Sequence, residues 1–170
     1  MIASIDPGIH ESGIACWDSI SGHLFHAFSL PIPGSLRGPR AWKTMAWTVK
    51  EALPALDALV IEIPQVYETR ARSKGDPNDL IQLAACVGAI VGQLPTGVEV
   101  SCVKPAEWKG QVKKEVTQAR CLTILTEEEK QRIKLPSAKS LAHNVWDALG
   151  LGLWHLDRLG IRTKRIPAFS

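Results

Sequence analysis

Ala58-Leu59-Val60-Ile61-Glu62 is a short apolar run with a carboxylate at its end. A continuous run of this length, with no polar alternation, marks a strand covered on both faces. Ile2-Ala3-Ser4-Ile5-Asp6 ends the same way. A strand buried on both faces needs layers of helix on either side, which points to an α/β arrangement. A third acid, Asp147, lies inside the helix-like segment Leu141–Leu156. An isolated carboxylate in apolar surroundings costs several kcal/mol unless its charge is compensated. Three of them along one chain suggest a shared cation.

The remaining pattern fills in the layers. Gly13–Asp18 and His23–Leu30 read as strands after Gly-rich turns, and Val98–Val103 as a fifth. Ala41–Leu53 has apolar residues at helical spacing. Asp76-Pro77 is an N-cap followed by proline at the first helical position, starting a helix to about Leu94. Glu115–Leu125 is a helix candidate, and Thr126 with Glu129 forms a capping box for a short successor. Ser137 is read as the cap of the last helix. The 170 residues are expected to form a single domain, 1–170, with no internal repeat or linker. Gln82, Gly88 and Gly92 interrupt the longest apolar stretch, so no membrane span is read, and no basic region precedes Asp6, so no secretory signal is read. Cys16, Cys86, Cys102 and Cys121 lack CxxC spacing, which disfavours zinc and suits reduced core cysteines.

Charge is unevenly placed. Residues 1–62 carry four basic and six acidic side chains, whereas 63–170 carry sixteen and eleven. Basic clusters occur at Arg70, Arg72 and Lys74, at Lys109, Lys113 and Lys114, and at Arg162, Lys164 and Arg165. Such clusters fit contact with a phosphate backbone, although each also fits a solvated loop.

Ile5-Asp6-Pro7-Gly8, with Gly13 five residues beyond Gly8, resembles the first motif of the RuvC-like Holliday junction resolvases. Val60-Ile61-Glu62 followed by Gln65-Val66-Tyr67 resembles their second acidic motif. Lys74–Gly92 is similar to the helix after it, and His143-Asn144-Val145-Trp146-Asp147-Ala148-Leu149 to their C-terminal motif. The ordered set spans nearly the whole chain. The resemblance implies an RNase H-like α/β fold, a mixed five-stranded sheet flanked by helices. It further implies a homodimer that resolves four-way DNA junctions by paired symmetric hydrolysis with Mg²⁺, for which Mn²⁺ can substitute. The setting implied is the cytoplasm of a bacterium, or of the host if the protein is phage-encoded.

The implied metal and catalytic residues are Asp6, Glu62 and Asp147. The family's usual acid or histidine three positions before the last aspartate is Asn144 here, and His143 is the alternative. Positions i−3 and i−4 both lie beside Asp147 on a helix, so spacing does not decide; imidazole is the better ligand, which favours His143. Ile63 and Pro64 are inserted relative to the family pattern. Expected DNA contacts are Tyr67, Arg70, Arg72 and Lys74, stacking on and clamping an unpaired base, and Lys109, Lys113 and Lys114 on phosphates. Gly150 and Gly152 are expected to let the last helix approach the sheet. Trp17, Trp146 and Trp154 are assigned to packing, while Trp42, Trp47 and Trp108 stay open.

Three other functions compete: a nuclease of broader branched-DNA or flap specificity, a nucleotide phosphotransferase of the actin-like superfamily, and a catalytically silent DNA-binding relative. The phosphotransferase reading rests on Asp6-x-Gly8 with Gly13, which also resembles that superfamily's first phosphate loop; the acids at 62 and 147 weigh against it.

Overall fold

A computed structural model describes residues 1–66, 76–110 and 112–159. Tyr67, Arg70, Arg72, Lys74 and the basic residues at 162, 164 and 165 lie outside the described residues. Six strands form one sheet: β1 (Ile2–Asp6), β2 (Glu11–Trp17), β3 (Leu24–Pro31), β4 (Ala58–Glu62), β5 (Glu99–Val103) and β6 (Ile133–Lys134). Their spatial order is β5-β4-β1-β2-β3-β6. β1, β2 and β3 form an antiparallel meander, while β4 pairs parallel to β1 and β5 parallel to β4. The mixed α/β sheet is as expected, with one correction. The two-residue strand β6 joins the edge beside β3, because Ala27 and Phe28 pair with Ile133 and Lys134. Two residues are too few for any periodicity to announce a strand.

The helices are α1 (Gly38–Ala52), α2 (Pro77–Gly92), α3 (Pro105–Trp108), α4 (Lys114–Ile124), α5 (Glu127–Gln131) and α6 (Ala142–His155). Asp76 caps α2 by accepting from the Asn78 amide, and Thr126 with Glu129 closes the capping box of α5. α6 is not capped by Ser137. It grows out of a 3₁₀ turn, Lys139–Leu141, and its N-cap position, Leu141, makes no side-chain capping bond.

The sheet has apolar layers on both sides. On one, Ala3, Ile5, Ile14, Leu59 and Ile61 pack with Met45 and Val49 of α1 and Cys86 and Ile90 of α2. On the other, Ala15 and Trp17 meet Val145, Leu149 and Leu153 of α6, with Cys121 of α4 behind them. α6 is therefore enclosed between sheet and α4, and every residue from Val145 to Leu153 is buried. A helix so placed reads apolar all round. Asp147 is the one ionisable residue in that stretch, and it is only 5% exposed.

Two close approaches fix α6 against the sheet. A Cβ on Gly13 would overlap the carbonyl oxygen of Asn144, and one on Gly152 would overlap the Trp17 indole and the Ser4 hydroxyl. Gly152 thus does what the sequence suggested. Gly150 instead accommodates other helices: its Cβ would lie 2.6 Å from Trp108 Cζ3 and 2.9 Å from Thr117 Cγ2. Beneath Gly152, Trp17 Nε1 donates to Ser4 Oγ at 2.9 Å, and Ser4 Oγ donates to the Ala148 carbonyl at 2.7 Å. That chain satisfies the buried polar groups where helix and sheet are closest.

Candidate active site

Parallel pairing puts the carboxyl ends of β1, β4 and β5 at one edge of the sheet. Ile5 is registered with Ile61 and Glu62 with Val103, so Asp6 and Glu62 are lateral neighbours. Lateral neighbours share a face of the pleat. The face is that of α6, because Ser4, two residues before Asp6, bonds to Ala148 there. Asp147, on the adjoining position of α6, completes a corner of three acids drawn from β1, β4 and α6.

A lysine occupies the middle of that corner. Lys109, directly after α3, places Nζ 3.0 Å from Asp147 Oδ2 and 3.1 Å from Glu62 Oε2. Burial alone lowers the affinity of Lys109 for its proton; the attractions of Glu62, Asp147 and Asp6 outweigh it, and the ammonium ends with a raised pKa. Glu62 is pushed up from the ordinary carboxylate range, first by burial and also by the neighbouring Asp147; Lys109 and Trp108 oppose the rise. Trp108, 3% exposed, donates its indole N–H to Glu62 Oε2 at 2.7 Å. The Gln65 side chain accepts from the Ala106 amide at 3.3 Å, tying α3 to the segment after β4, and Glu107 caps α3 by accepting from the Lys104 amide at 3.1 Å.

The sequence-derived residues fall into separate groups. Glu62 and Asp147 meet at Lys109, and Asp6 lies near enough to help raise that lysine's pKa. Lys109, expected on a phosphate backbone, points instead into the acids. His143 directs Nδ1 to the Ser140 carbonyl at 2.7 Å. Asn144 donates from Nδ2 to the Glu11 carbonyl at 3.1 Å, tying the start of α6 to β2. Lys113 is exposed at the N-cap position of α4, and Lys114 opens that helix. Trp108 is a site residue that the sequence left open. Its only signal was position, since whatever follows a strand parallel to β4 must emerge at the same edge as Asp6 and Glu62.

Divalent cations such as Mg²⁺ favour hard oxygen donors, and three carboxylates supply them. Asp147 Oδ1 is buried with no hydrogen-bond partner among the described residues, an acceptor left over on the carboxylate whose Oδ2 meets Lys109. The donor chemistry fits a divalent ion. Among the described residues, however, no three His, Cys, Asp or Glu side chains are gathered to hold a metal as they stand.

The sequence matches no family model and no curated protein. Solved structures do match. RuvC of T. thermophilus in complex with a Holliday junction substrate superposes with a TM-score of 0.64 at 20% identity, over 91% of this chain and 91% of that one. A second Thermus thermophilus RuvC structure gives 0.59 at 20% identity, over 94% and 96%. The chain has the fold of these proteins along nearly its full length.

Proposed function

We propose that this chain is a divalent-metal-dependent endonuclease that resolves four-way DNA junctions. The observation that carries the reading is the convergence of Asp6, Glu62 and Asp147 on one cationic position, in a fold shared with a protein solved on a Holliday junction.

When bound, a pair of Mg²⁺ ions supplies an activated water and stabilises the departing oxygen of the phosphodiester. Asp6, Glu62 and Asp147 are the residues that would hold them. Trp108 fixes Glu62 by occupying Oε2, which orients the carboxylate before any ion arrives. Asp147 works from a water-poor position, where each charge interaction is stronger than in bulk solvent. His143, one turn from Asp147, is the candidate fourth ligand or proton carrier. Lys113 and Lys114, with Tyr67, Arg70, Arg72 and Lys74, are assigned to the DNA backbone and an unpaired base.

The active species is a homodimer in this proposal, because two sites related by a two-fold axis suit a junction of the same symmetry. Its face is assigned to α2, where Ile81, Ala84 and Gly88 are exposed. No described helix is long and apolar enough to cross a membrane.

The test is incubation with a synthetic immobile four-way junction and Mg²⁺ or Mn²⁺. Paired, symmetric nicks that ligase can reseal support the proposal. Cutting of flaps and forks with the junction left intact would replace it with the broader nuclease, and no cutting of any branched substrate would overturn it.

A further inference from the structure

Three acids bear on one base at this corner. Lys109 Nζ contacts two of the acids at 3.0 and 3.1 Å and lies 4.8 Å from the centre of the Trp108 ring. Its side chain is 18% exposed, well sheltered for a lysine. A divalent ion bound by the same oxygens would sit within a few ångströms of the ammonium. Two like charges that close in a partly buried site repel each other strongly. Each cation there weakens the hold of the acids on the other.

We propose that Lys109 is a built-in counter-cation of the carboxylate corner, and that a divalent ion enters only by displacing its ammonium. The inference rests on the proposed metal-site reading and adds a competitor to it. In the metal-free protein the lysine holds together acids that would otherwise repel one another at the sheet edge. Its release is local. The charge rides on a flexible four-carbon stem at the C-cap of α3, next to Gly110, which has φ +60° and open space around it. Trp108 stays anchored, 3% exposed, while the neighbouring head group moves.

The test is calorimetric titration of Mn²⁺ into the full chain without DNA. Lys109→Met keeps the length of the stem and removes the charge, so Mn²⁺ should bind about tenfold tighter, or more. Metal-free Lys109→Met should melt below the parent protein, and saturating Mn²⁺ should raise its melting temperature further than the parent's. Lys109→Arg keeps the charge, folds with the acids paired, and should bind Mn²⁺ no better than the parent. Equal or weaker binding by Lys109→Met, or tighter binding by Lys109→Arg, overturns displacement. Asp147→Asn separates the two readings. If parent and Lys109→Met bind alike and Asp147→Asn does not bind, only the competition fails; if none binds Mn²⁺, the metal site fails with it.

Discussion

The Trp108 indole N–H donates to Glu62 Oε2 at 2.7 Å, joining the residue that ends α3 to the one that ends β4. Glu62 is a partly buried acid whose ionised form is disfavoured by its surroundings, and this bond works against that tendency. Trp108→Phe keeps most of the ring in place and removes the donor. A hydrogen bond to a charged group is worth about 1.5–3 kcal/mol. Losing it should lower stability by about that much in urea unfolding and cut junction cleavage by about tenfold or more, as the loss of a partner behind a metal ligand does. Unchanged cleavage would mean that Glu62 needs no orienting partner.

Gly13 lies where α6 meets β2, and a side chain there would overlap the Asn144 carbonyl and the Val145 amide nitrogen. Backbone cannot swing aside as a flexible side chain can. Gly13→Ala should therefore cost about 3 kcal/mol, the upper end for overpacking, and move Asp147 away from Asp6. Denaturant unfolding measures the cost. A stability within experimental error of the parent would show that α6 can lift off the sheet.

Ser4 is the single hydroxyl between the Trp17 indole and the Ala148 carbonyl. Ser4→Ala leaves the buried Trp17 indole N–H without its partner, while the Ala148 carbonyl keeps its helical one, so about 1–3 kcal/mol should be lost. Ser4→Cys, with a weaker donor and acceptor, should fall between. Urea midpoints at constant slope would measure both.

Much of this fold is legible in the residues themselves. The strand of residues 58–62 announces itself because burial on both faces leaves no polar position, and the cap at Asp76 because proline follows it. Strand β6 is not legible: its two residues pair with β3 only once α5 has carried the chain back to that edge. The start of α6 was misplaced at Ser137 because a hydroxyl before a helical pattern normally caps it, whereas a 3₁₀ turn supplies the start here. In the candidate site, the three acids could be picked out because each ends or interrupts an apolar run. The turn of Lys109 inward could not, because whether a lysine faces solvent or three acids depends on the register of β1, β4 and β5.

Glu129 anchors the far end of α6. It accepts a bidentate pair from Arg158 at 2.7 and 2.8 Å, the Leu24 amide at 2.9 Å and the Thr126 amide at 3.0 Å. Burial raises its pKa, but the Arg158 and backbone hydrogen bonds more than reverse this, and it is held down to about 2. A depressed carboxylate contributes stability that is complete above its unfolded pKa and is lost as pH falls through the folded one. Acid unfolding should consequently show a loss on the order of 3 kcal/mol between roughly pH 4.5 and pH 2. Glu129→Gln should be less stable at pH 7 and should lack this part of the acid dependence. Parallel pH profiles for the two proteins would remove Glu129 from that role.

The most direct test compares Mg²⁺-dependent nicking of an immobile four-way junction by the parent protein and by Asp6→Asn, Glu62→Gln and Asp147→Asn, with junction binding measured in parallel. The account predicts that each variant still folds and binds the junction while its cleavage falls at least about 100-fold, since changes merely behind metal ligands already cost 10–100-fold. Cleavage at the parent rate by a folded Asp6→Asn or Asp147→Asn protein would contradict it.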